Sequence, residues 1–182
     1  VVNLGTGIPG DTVGVALARS GLIADVHLTI ESGTYGGVPL GGVDFGCAYH
    51  PDALIPHPCQ FDFYNGGGCD ITFMGVGQVD RRGNVNVSAL GGRAIGCGGF
   101  MDIVDGAKKV CFLMSAASRH PKWVEQVDQL TFSGAAALHR EQKVYLCTEY
   151  YTLELAADGW AVTDADEGAE ARSALAAAGL PG

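Results

Sequence analysis

Apolar and polar positions alternate between two periods along this chain. VVNL opens as a continuous apolar run, DTVGVALARSGL then spaces Val13, Leu17 and Leu22 at helical intervals, and VHLTIE returns to a β-branched run ending on Glu31. Asp11 occupies an N-cap position for that helix and Gly21 a stop position. This strand, helix, strand order predicts the start of an α/β domain with a parallel sheet. DITFMGVGQV (70–79) reads as a central strand, AKKVCFLMS (107–115) as another, and KVYLCTEYYTLEL (143–155) as one or two more. These runs are apolar without strict alternation, the pattern of a sheet covered on both faces. Residues 32–68 are rich in Gly, Pro and Asn, with prolines at 39, 51, 56 and 58, which predicts little regular structure. DRRGNVN reads as a tight reversal in which Arg82-Gly83-Asn84 take positive φ, and AEARSALAAAGLPG as a closing helix with a Gly-Leu-Pro-Gly stop.

Composition adds limits. The 182 residues suit one domain, expected to span 1–182, and 28 glycines imply many tight turns or backbone approaching something closely. With 11 basic against 20 acidic residues, nucleic acid and anionic membrane surfaces are poor partners. Arg19 is the one basic side chain before residue 81, whereas Arg81, Arg82, Arg93, Lys108, Lys109, Arg119 and Lys122 follow closely; anionic groups of a ligand would meet that stretch, backbone N–H groups or another chain. The cysteines at 47, 59, 69, 97, 111 and 147 form no CxxC and no zinc spacing, and read as reduced core residues of a cytoplasmic protein. No apolar run is long enough to span a membrane. The chain begins on Val inside VVNLGTGIPG, so it is expected to be a fragment or one part of a longer polypeptide.

Candidate chemistry converges on one carboxylate. Glu31 ends a predicted parallel strand, the edge where open α/β sheets hold ligands, and the bare loop SGTYGGVPLGG follows it. A surface carboxylate at a strand end is the alternative. GVGQV (75–79) and IGCGGF (95–100) are Gly-rich turns whose N–H groups can hold a phosphate or an oxyanion, or are merely turns. GTGIPG matches a dinucleotide fingerprint by letter only, since Pro9 interrupts it and no suitable acidic residue follows. His27, His50, His57, His120 and His139 are too scattered for a metal site, and Ser32, Ser88, Ser115 and Ser133 lack a nucleophile elbow. Cys97, between glycines, invites suspicion, and a close-packed turn explains it equally well. What remains is a carboxylate acting as nucleophile or base among backbone donors.

Taken in order, VVNLGTGIP, ESGTYGGVP, FDFYNGGGCDITFMGVGQVDRRGNVNVS, GCGGFMDIVDGAKKV and QLTFSG resemble the carboxyl-terminal half of the family I coenzyme A transferases, most of all the single-chain propionate/acetate type. The resemblance implies an open, mainly parallel sheet flanked by helices, a scaffold shared with sugar-phosphate isomerases and regulators. It implies transfer of CoA between short-chain carboxylic acids, with CoA as substrate and no cofactor or metal. By the same resemblance Glu31 is the nucleophile, Gly99 donates its N–H to the oxyanion with Gly98 beside it, Gly75, Gly77 and Gln78 lie along the pantetheine, and Gly36 and Gly37 line the acyl pocket. The implied partners are acyl-CoA, a carboxylic acid, and an amino-terminal half or α subunit in a homo- or hetero-oligomer, without which the chain is expected to be inactive. An acyl-CoA hydrolase and a non-catalytic ligand-binding domain on the same scaffold are the alternatives. The chain departs from the family at TEYYTLEL, where Tyr150 replaces an arginine, and in its shorter close.

Overall fold

The computed structural model describes residues 1–118 and 122–180, which form two compact units, Val1–Gly75 with Gly99–Val110, and Val76–Gly98 with Cys111–Gly182. In chain order the elements are β1 (Val2–Leu4), α1 (Gly14–Ser20), β2 (Leu28–Ile30), β3 (Thr34–Tyr35), β4 (Val38–Pro39), β5 (Ala48–Tyr49), β6 (Ala53–Leu54), α2 (His57–Asn65) and β7 (Ile71–Gly75). They continue with β8 (Gln78–Val79), β9 (Val85–Asn86), β10 (Ala89–Leu90), β11 (Arg93–Ala94), α3 (Phe100–Gly106), β12 (Lys109–Leu113), α4 (Gly134–His139), β13 (Lys143–Cys147), β14 (Tyr151–Ala156), β15 (Gly159–Ala165) and α5 (Ala169–Ala177).

In the first unit the strands run in the order β7, β1, β2, β3, β6. β1 pairs in parallel with β2 and with β7, while β3 and β6 add antiparallel pairs at one side. Alternation along these strands sends two different sets of side chains to the two faces. Val2, Leu4 and Leu28 form one face and pack under Val13 and Leu17. Asn3, Thr29 and Thr72, in register across the three parallel strands, point the other way, where the Asn3 amide donates to the Tyr64 hydroxyl of α2 at 2.8 Å. Helices therefore cover both faces of this sheet, α1 over the apolar side and α2, which packs on α3, over the polar side.

Several expectations change here. Asp11 is no N-cap, because helical backbone already begins with a π-helical turn at Pro9–Val13; its carboxylate abuts Gly41 instead. Gly21 does stop α1, with φ 77 and its N–H on the Ala18 carbonyl. Leu22 is 52% exposed, and Ile23 carries the apolar contact in its place. The glycine- and proline-rich stretch holds the nine-residue α2; Pro58 falls in its first turn, where the missing N–H costs nothing. The predicted 70–79 strand ends at Gly75 and resumes as the separate β8.

In the second unit β13, β14 and β15 form an antiparallel meander, with β15 unanticipated from sequence. The segment 143–155 thus divides into two strands, and β14 alternates between buried and half-buried positions as an antiparallel strand does. In the reversal after β8, only Gly83 takes a positive φ, of 77. Asp80 organises the turn by accepting from the Arg82 and Asn84 N–H groups at 2.9 and 3.1 Å. Trp160 of β15 donates its indole N–H to the Asp80 carbonyl at 2.9 Å. α5 forms as expected, and Pro181 and Gly182 of its stop signal lie outside the described residues.

Candidate active site

Glu31 follows the last residue of β2 at the carboxyl edge of the parallel strands, and it is half-buried. Position 31 shares its face with Thr29, so strand alternation turns its side chain toward α2 and α3. The structure brings Gly99 there. A Cβ built on Gly99 would lie 2.6 Å from Glu31 Oε2 and would overlap the Phe61 ring at Cζ. Gly99 is the N-cap of α3 at φ −79, so close approach rather than backbone conformation explains glycine. Its N–H has no backbone acceptor among the described residues. The Glu31 carboxylate and the Phe61 ring thus both crowd the bare Cα of Gly99.

Phe61 carries no signal of its own in the sequence beyond FDFY, an aromatic pair at helical spacing from His57. The His57 ring lies 4.8 Å from that of Phe61 by centroids. One turn further on, the Tyr64 hydroxyl is wholly buried, accepts from Asn3 and donates to Thr29 Oγ1 at 3.0 Å, and Thr72 donates to Asn3 Oδ1 at 2.8 Å. This ladder pins α2 to three strands and so sets where Phe61 sits relative to Glu31. Burial pushes the Tyr64 phenol up to about 12 and the nearby Cys69 thiol up to about 11.

The loop after Glu31 is fastened by the other residues of its motif. Ser32 and Thr34 hydroxyls both donate to the Gly46 carbonyl, at 2.6 and 2.7 Å. Gly36 and Gly37 have φ 68 and 71; the space a side chain would take at Gly36 is held by the Asp52 carboxylate, and at Gly37 by the Tyr49 and His50 carbonyls. Their bareness is required by the packing of the turn between β3 and β4. Gly75 ends β7 at the same edge as Glu31, with the Thr6 carbonyl 3.9 Å from where its Cβ would be.

The remaining predicted residues belong to the second unit. Gly98 is exposed with φ 54. Gly77 is pressed against the Asn86 carbonyl and Leu90, and its N–H donates to Asn86 at 3.1 Å. The Gln78 amide donates to Asp128 at 2.8 Å, and its carbonyl oxygen is filled by Asn86 Nδ2 at 2.8 Å and the Asp128 N–H at 3.0 Å. Tyr150 is half-exposed, and the acidic Glu170 and Glu149 near its phenol raise its pKa. Cys97 is half-buried, and Arg119 and His120 lie outside the described residues. No described helix is long and apolar enough to cross a membrane.

No protein-family model matches the chain. It is 34% identical over 177 residues to the caffeate CoA-transferase of Acetobacterium woodii, covering 85% of this chain and 34% of that protein. It is 34% identical over 177 residues to the acetate CoA-transferase YdiF of Escherichia coli K12, covering 87% of this chain and 33% of that protein. One subunit of the 3-oxoadipate CoA-transferase of Pseudomonas knackmussii is 32% identical over 155 residues, with 76% of this chain and 57% of that subunit covered. The solved thioester complex of the E. coli O157:H7 acyl-CoA transferase YdiF with CoA superimposes with a TM-score of 0.86 at 29% identity, over 97% of this chain and 36% of that one. The chain thus spans about a third of the length of the first two relatives.

Proposed function

The chain belongs to the coenzyme A transferases, and we propose that it carries the nucleophile of an acyl-CoA:carboxylate CoA-transferase, with Glu31 as that nucleophile. The observation that carries the reading is that Gly99, whose N–H has no backbone acceptor among the described residues, turns its bare Cα to both Glu31 Oε2 and the Phe61 ring. A carboxylate is a weak nucleophile in water, but a thioester is an activated acyl group, and fixed orientation raises the effective concentration of the attacking oxygen. The Glu31 oxygen adds to the thioester carbonyl, the C–S bond breaks, and CoA thiolate leaves an acyl-glutamyl anhydride. The thiolate then adds to the glutamyl carbonyl and expels the first acid as its carboxylate, leaving a glutamyl-CoA thioester. A second carboxylate repeats these steps in reverse and regenerates Glu31. In each tetrahedral intermediate the Gly99 N–H supplies charge stabilisation of the kind worth about 3 to 4 kcal/mol in other enzymes.

Gly36 and Gly37 line the acyl pocket with their backbone, and Phe61 adds its ring to that wall. Gly75 and the adjoining backbone lie along the pantetheine; Gly98 shapes the turn that presents Gly99. Gly77 and Gln78 also serve CoA; at Gln78 the second amide hydrogen is the side-chain group left for it, since the carbonyl oxygen is committed. Residues 1–182 act as the carboxyl-terminal or β-subunit type of catalytic domain, completed by an amino-terminal half or α subunit; its span of about a third of its relatives supports this. The substrates are short-chain acyl-CoA and a carboxylic acid. Six free thiols suit the reducing cytoplasm, where this reading places the protein.

The test is intact-mass analysis of the complete protein mixed with acetyl-CoA. A CoA adduct mapping to the peptide that carries Glu31, and lost in Glu31→Gln, is expected. Its absence from wild-type protein that is turning over overturns the mechanism. Rapid CoA release without an acid acceptor overturns transfer in favour of hydrolysis.

A further inference from the structure

Within the second unit, Cys111 on β12 and Cys147 on the neighbouring β13 bring their Sγ atoms to 3.3 Å, both as free thiols. Nothing in the proposed transfer uses them. Four of the six cysteines take no part in such a pair. Cys111 is 5% exposed, next to the buried Phe112, whereas Cys147 is half-buried at the end of its strand. The chain leaves both strands at this point, with the Met114 N–H on the Cys147 carbonyl at 3.2 Å. Just beyond, the Glu149 carboxylate accepts from Ser115 Oγ at 2.7 Å and the Ala116 N–H at 2.9 Å. Closing from 3.3 Å to a disulfide bond length asks for about 1.3 Å of movement, within reach of side-chain adjustment.

We propose that Cys111 and Cys147 form a dithiol that hydroperoxides oxidise to an intrachain disulfide. The contact with Cys111 holds the Cys147 pKa below the ordinary thiol range, so Cys147 is the attacking group. Its thiolate attacks the peroxide, an S–O bond forms, the O–O bond breaks, and hydroxide or alkoxide departs. Cys147 is then a sulfenic acid. The Cys111 sulfur attacks it, giving up its proton; the S–O bond breaks and hydroxide leaves as water. Two electrons pass from the thiols to the peroxide, and a dithiol reductant such as dithiothreitol returns them. A cross-link here ties β12 to β13 beside the loop that Glu149 holds.

The experiment exposes the complete protein to equimolar hydrogen peroxide, alkylates remaining thiols, and maps the digest by mass spectrometry. A Cys111–Cys147 linked peptide lighter by two hydrogens, reversed by dithiothreitol, is expected, while Cys47 and Cys59 stay alkylatable. Cys147→Ser abolishes it, and Cys111→Ser leaves Cys147 at the sulfenic acid, which dimedone traps. Phenylarsine oxide, which bridges paired thiols, gives a readout without variants: one equivalent should protect both cysteines from alkylation. Linkage through Cys47 or Cys59 instead, or full alkylation of Cys147 after either reagent, overturns the proposal.

Discussion

Replacing Gly99 with alanine tests the core of the site with one methyl group. Gly99 has φ −79, which alanine adopts without strain, so the perturbation is steric and local. The new Cβ would stand 2.6 Å from Glu31 Oε2, whereas ordinary contact begins near 3.4 Å. The carboxylate oxygen must retreat by about 0.8 Å, and the Phe61 ring, whose Cζ would stand 2.4 Å from the new Cβ, by about 1.0 Å. A displacement of that order costs about 100-fold in rate, or roughly 2.7 kcal/mol of activation free energy. Stability should change little, since alanine for glycine at an N-cap costs about 1 kcal/mol or less. The assay is steady-state transfer from acetyl-CoA to a second short-chain acid by the complete enzyme, with thermal unfolding as control. Gly99→Ala combined with Phe61→Leu should recover part of the loss by removing one of the two collisions. A folded Gly99→Ala enzyme within threefold of wild type, with Glu31→Gln inactive, would refute the placement of Gly99 against the nucleophile.

Gly36→Ala should destabilise by about 1 to 3 kcal/mol, from left-handed backbone at φ 68 and from collision with Asp52; adding Asp52→Ala relieves the collision alone, so denaturant unfolding should show partial recovery, and none would refute the contact. Tyr64→Phe should cost about 1 to 3 kcal/mol near neutral pH by leaving buried polar partners unpaired. The wild-type phenol keeps its proton to about 12 when folded but ionises near the ordinary 10 when unfolded. Its contribution is therefore complete below pH 10 and is lost as pH rises toward 12, by up to about 3 kcal/mol. The wild-type and Tyr64→Phe stability curves should converge across that window, and parallel curves would contradict the burial of this hydroxyl.

Elements whose cause is local are legible in the residues. The run ending at Ile30 needs only its β-branched pattern, and Gly21 only its freedom to adopt left-handed backbone. Glu31 stands out because a strand end and a bare loop are both readable within a dozen residues. Helix α2 is hidden: prolines at 56 and 58 read as breakers, although a proline in the first turn is compatible with a helix. The packing demand at Gly36 and Gly37 is hidden, because a glycine left bare for a ligand and one left bare for Asp52 look identical as letters. Gln78 reads as a ligand-facing residue, and its commitment to Asp128, fifty positions on, has no sequence signature.

By itself the sequence determined the kind of layers, the strand that carries Glu31, and the class of chemistry its neighbours permit, since each follows from short-range periodicity, turn geometry and residue type. Tertiary structure alone decided that Glu31 and Phe61 meet at Gly99, that Tyr64 holds the helix carrying Phe61, and that Cys111 meets Cys147. Those meetings depend on the register of parallel strands and on helices docking over the faces they leave, and such long-range contacts are settled by packing the whole unit together rather than by any segment's own preference.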